Sequence, residues 1–108
     1  MADPSYRSSS SVENQTGSSF SVTKPAGTVD GDLLVAFQAS YLGGGTAPVA
    51  PAGWTLSDRQ TFSDRDLVCW YKSASSEGAS WTFDGVAGGV TPTTNVYVAA
   101  FSVPAPFT

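Results

Sequence analysis

The chain has 108 residues, nine Asp and Glu against five Lys and Arg, and no histidine, so it is formally −4 at neutral pH. Its length suits one domain. The scatter of Arg7, Lys24, Arg59, Arg65 and Lys72 excludes the concentrated basic face that nucleic-acid and anionic-membrane binders need. Without histidine, Ser-His-Asp and Cys-His nucleophiles and His-ligated metals are excluded as well.

Helical periodicity is absent, and Gly and Pro interrupt every long stretch. Residues 1–17 are Ser-rich and weakly patterned, with Val12 as the clearest anchor; they predict an N-terminal arm or an edge strand. Ser18 to Thr23 alternates, placing Phe20 and Val22 on one face, and KPAGTVDGD follows as a turn. Asp32 to Tyr41 is the strongest strand. Leu33, Val35, Phe37, Ala39 and Tyr41 line one side of it, and Leu34, Ala36, Gln38 and Ser40 the other. Apolar residues on both sides predict a central strand covered on both faces.

LGGGTAPVAPAG is a loop, and GWTLSDRQTF a strand that aligns Trp54 with Leu56. Asp66 to Ala74 is the next strand. SSEG turns the chain into ASWTF, with Trp81 and Phe83 on one side, and DGVAGGVTPT leads to a last strand over Thr94 to Val103. PAPFT, residues 104–108, reads as a C-terminal arm. Six or seven short strands predict an all-β chain: a single antiparallel β-sandwich over 18–103, of jelly-roll type, with extended arms at both ends.

Carboxylates are the remaining acid–base candidates. Asp30, Asp32, Asp58, Asp64, Asp66, Glu77 and Asp84 mostly sit beside Gly or Ser and read as solvated turn residues, so no enzyme is expected. Asp30-Gly31-Asp32 and Asp64-Arg65-Asp66 are short acidic turns of the kind calcium uses, but neither supplies a full ligand pattern. No metal or cofactor is expected. The lone Cys69 lies in an apolar run and reads as a core residue. The first residues lack the apolar stretch of a cleaved leader, and no run is long enough to cross a membrane. Folding in a cytoplasm is expected.

Trp54, Trp70, Trp81, Tyr41, Tyr71 and Tyr97 read first as filling between two sheets. The alternative use is a sugar platform, with Trp54 and Trp81 as the ligand-facing rings. Partner contacts are expected at the ends of the chain, from Tyr6, Val12, Pro104, Pro106 and Phe107.

The runs VTKPAGTVDGDLLVAF, PAGWTL, VCWYKSASSEGASWTF and VYVAAFSV resemble, in order and spacing, a family of small β-sandwich domains. These domains are common in tailed-bacteriophage virion proteins and some bacterial surface proteins. The likeness covers about residues 18–103. Two departures are Gly78, where the family commonly has Pro, and the final strand, which runs into Val103-Pro104. The resemblance implies a virion structural protein. A single copy with an arm at each end fits a capsid decoration (cement) protein, made in the host bacterial cytoplasm and placed on the outer capsid surface. Its partner would be the major capsid protein, and it would form a homo-oligomer, with a trimer expected from threefold lattice points. A carbohydrate- or receptor-binding module of a tail fibre or cell-surface protein is the alternative, and another head or tail component a further one.

Overall fold

Alternation with a period of two puts apolar side chains on one side of each strand, and the sheets form where those sides can meet. A computed structural model of the chain describes residues 4–15, 19–41, 51–62, 65–84 and 94–103. Its strands are β1 (Ser5–Gln15), β2 (Ser19–Thr23), β3 (Leu33–Tyr41), β4 (Thr55–Phe62), β5 (Arg65–Ser73), β6 (Ser80–Asp84) and β7 (Thr94–Ser102). Five form one sheet in the order β1-β7-β3-β5-β4, and β2 pairs with β6 in a second. Every pairing is antiparallel. The all-β expectation holds. A jelly roll has eight strands in two sheets, whereas the described residues give seven strands divided five and two, so that finer assignment is not carried over.

The core lies between the two sheets. Leu34 and Ala36 on β3 sit in register with Ala100 and Val98 on β7, and with Lys72 and Trp70 on β5. Val22 on β2 and Trp81 and Phe83 on β6 cover them, and Leu34, Val22 and Phe83 lose all contact with solvent. Trp54 packs edge-on against Trp81 with ring centroids 5.3 Å apart, and Phe83 lies 5.9 Å from Trp70. Large rings bridge the gap, since among the described residues two short strands supply the second layer.

The N-terminal stretch resolves as an edge strand. β1 runs antiparallel to β7 from Ser5↔Ser102 to Gln15↔Thr94, so a peripheral arm over 1–17 is corrected for Ser5–Gln15. The Ser-rich composition has a structural use here. Ser8 Oγ donates to the carbonyl of Ala26 at 2.5 Å, and Ser10 Oγ donates to that of Thr23. Short hydroxyl side chains thus bridge the edge of one sheet to backbone acceptors of β2 and the turn after it. The register slips between Tyr6 and Ser8, and this bulge sets Arg7 against Asp32.

The PAGW segment is a tight turn. Gly53 has φ +97°, a region that L side chains avoid, and a Cβ there would come within 3.3 Å of Lys72 Nζ. Gly31 N–H donates to the Ala74 carbonyl (2.9 Å) and Ala74 N–H to the Asp32 carbonyl (2.8 Å). That reciprocal pair holds the turn before β3 to the end of β5.

Candidate docking face

Sequence reading placed the carboxylates in solvated turns, and the structure moves three of them inside. Asp32 accepts from Arg7 Nε at 2.7 Å and Nη2 at 3.1 Å, and also from Val29 N–H. Asp66, whose side chain is fully buried, meets Arg59 at 2.8–3.0 Å. Glu77 pairs with Lys72 at 2.9 Å and accepts from Trp81 Nε1 (2.9 Å) and Ser75 N–H (2.8 Å). Burial pushes the Glu77 carboxyl up, but the bonds from Ser75, Trp81 and Lys72 outweigh it, and its pKa falls below the ordinary glutamate value. The Arg7–Asp32 pair joins residues 25 apart in the chain, whereas Arg59–Asp66 and Lys72–Glu77 tie together residues 7 and 5 apart; the role of all three is structural. Asp32 and Asp66, the anchors of the two acidic turns weighed for calcium, are both taken up by guanidinium groups. Among the described residues no three acidic or thiol groups converge as a metal cage would require.

Trp54 and Trp81 take the role read first for them, filling between the sheets. Trp81 is buried at 8% exposure, because its indole fills the gap between the sheets. Trp54 is half-buried against it, with Lys72 Nζ 6.0 Å above its ring. Val12 is half-buried and packs against the core. Tyr6 remains exposed, edge-on to Phe101 and donating to Ser9 Oγ at 3.0 Å. Pro104, Pro106 and Phe107 lie outside the described residues.

The feature that sequence reading missed is the far side of the five-stranded sheet. β3 was expected to be covered on both faces. The described residues cover only the Leu34–Ala36–Gln38 side, and Phe37 on the other is 53% exposed. Phe37 has Tyr97 beside it on β7 and Cys69 beside it on β5; Ala39 has Leu67 beside it on β5. Leu67 and Tyr97 are also largely exposed. Burial raises the Cys69 thiol pKa, with a hydrogen bond involving Ser57 opposing and the Asp58 charge adding to it, so Cys69 acts here as a neutral small side chain.

The sheet curls around this face. Ser11 and Glu13 on β1 and Asp58 and Gln60 on β4, its two edge strands, line one shared concavity of about 550 Å³ floored by Phe37, Ala39, Leu67, Cys69 and Tyr97. At ~4.8 Å between strands, the trough is roughly 19 Å wide from edge to edge. An apolar floor with a polar rim on a chain of this size is the pattern of an adhesive surface. The signal for it was present in the sequence: a strand apolar on both sides, of which the described strands cover one.

No protein-family model, curated protein or solved structure matches this chain.

Proposed function

We propose that the chain is a virion structural protein that acts by adhesion: a capsid decoration protein whose curled outer face seats on the major capsid protein. The observation that carries the adhesive part is the apolar floor of Phe37, Leu67 and Tyr97, left exposed on the outer face of the five-stranded sheet. The virion setting rests on the sequence resemblance. A modest patch per copy is sufficient in such a setting, because many symmetry-related copies act together on one lattice. A homotrimer at threefold points belongs to the same reading.

The test is addition of the purified chain to capsids that lack it. Saturable binding with an integral number of copies per capsid hexamer, and a capsid that resists heat better, is the expected result. The competing reading is a receptor- or sugar-binding module of a tail fibre, favoured by the same exposed rings, since Phe and Tyr faces also stack on sugars. Glycan binding together with no capsid binding would replace the first reading with the second.

A further inference from the structure

We infer that the Asp58 side chain guards the open edge of the five-stranded sheet against strand addition, so that copies of this chain do not join edge to edge. Nothing in this depends on how the outer face of the sheet is used. A sheet edge presents a row of backbone N–H and C=O groups to any strand that can lie beside it. β1 and β4 are the two edges here. β1 is drawn toward the second layer, through Ser8 Oγ to the Ala26 carbonyl and Ser10 Oγ to the Thr23 carbonyl. On β4, by contrast, every residue from Thr55 to Gln60 is exposed, whichever face of the strand it occupies. Leu56 is 54% exposed, an apolar side chain that a strand added alongside would help to bury. β4 is therefore the edge more open to pairing.

Two features oppose that pairing. The register slips between Leu56 and Asp58, which leaves Ser57 without a register partner on β5. Such a bulge bends and twists a strand away from the flat shape that edge pairing needs. Beside it, the Arg59 N–H donates to the Asp58 carboxylate at 2.8 Å. The Gln60 amide lies 3.5 Å from both Asp58 oxygens, at the outer limit of a hydrogen bond, so the Arg59 N–H is the closer donor. A backbone donor on the edge strand is thus satisfied by the side chain that precedes it. An incoming carbonyl would have to displace a charged acceptor, and the carboxylate would lose water as the new strand closed over it. Two copies meeting β4 to β4 would bring both carboxylates into one seam, because a twofold axis repeats every edge residue.

Asp58→Ala tests this beside the wild type and Glu13→Gln. Glu13 is exposed on the rim of the same concavity, on β1, so Glu13→Gln removes an equal charge and leaves β4 intact. Each protein is followed by sedimentation velocity and by amide hydrogen exchange over a concentration series, after circular dichroism has shown that it is folded. Asp58→Ala is expected to gain mass over the wild type as concentration rises, while Glu13→Gln keeps the wild-type mass. The Arg59 amide of Asp58→Ala should exchange about tenfold more slowly than in the same variant diluted, once about nine chains in ten are paired. A folded Asp58→Ala that keeps the wild-type mass overturns the inference. So does equal association of Glu13→Gln, or association of Asp58→Ala without protection of β4 amides. The wild type gives a check that needs no variant. Its β4 amides should exchange at one rate at every concentration, and slower exchange on concentrating it overturns the inference.

Discussion

Phe37 and Tyr97 face each other across the β3–β7 pairing, on the side of the sheet away from the β2–β6 layer, and both are about half exposed. A solitary exposed ring means little on any protein surface. Two in register, continued by Leu67 one row away, form a patch. Phe37→Ser should therefore change folding stability by less than about 1 kcal/mol, as substitutions outside the core do. A denaturant series checks this, and a loss comparable to that of a core ring would mean the face is already covered.

Phe83 gives the contrasting case. It is fully buried and packs on both Trp54 and Trp70, so Phe83→Ala should cost about 3–5 kcal/mol. Trp81→Ala should fall in the same range, about 3–5 kcal/mol, because its indole also donates to Glu77. Chemical denaturation of the two variants decides it. A loss below about 1 kcal/mol for Trp81 would place that ring outside the core.

Residues 5–10 belong to an edge strand tied down by Arg7, Ser8 and Ser10. Their deletion should lower the melting temperature of the isolated chain sharply, the opposite of what a loose arm would do. Arg7→Ala alone leaves the buried Asp32 with the Val29 N–H but without its cation. Its expected cost is about 1–3 kcal/mol, the penalty for a buried acceptor left short of partners. Melting curves of both variants check this.

Glu77 sets a pH dependence. Its folded pKa lies below the ordinary value, so the unfolded chain takes up the proton first as pH falls. The stabilisation is present in full above the unfolded value of about 4.3 and is lost as pH drops through the folded one. Glu77→Gln should flatten this part of the acid limb, at some cost to stability at neutral pH. Unfolding midpoints measured from neutral to acid pH test it, and an acid limb of unchanged slope would show that the carboxylate is not coupled to folding.

The strands were legible because alternation and turn residues are local signals. The pairing of Arg7 with Asp32 was not, since a carboxylate beside Gly looks the same whether its partner is water or a guanidinium 25 residues away, and the pairing of Glu77 with Lys72 and Trp81 depends on a turn geometry that residue type does not give. The two uses weighed for Trp81, core filling and ligand contact, were not separable from sequence for a related reason. Residue type tells that a ring or a branched chain wants burial, but not which layer will supply it. β3 carries the sharpest case: its two-sided apolar pattern correctly marks a central strand, yet the pattern cannot say whether the second cover belongs to the same chain or to a partner.

Adhesion through the trough requires Phe37 and Leu67 to touch the partner. The most direct measurement is co-sedimentation of Phe37→Asp/Leu67→Asp with capsids lacking the protein, beside the wild type and after circular dichroism has shown that the variant is folded. The expected result is saturable binding for the wild type and none for the folded variant; binding of the variant at the wild-type level would contradict it.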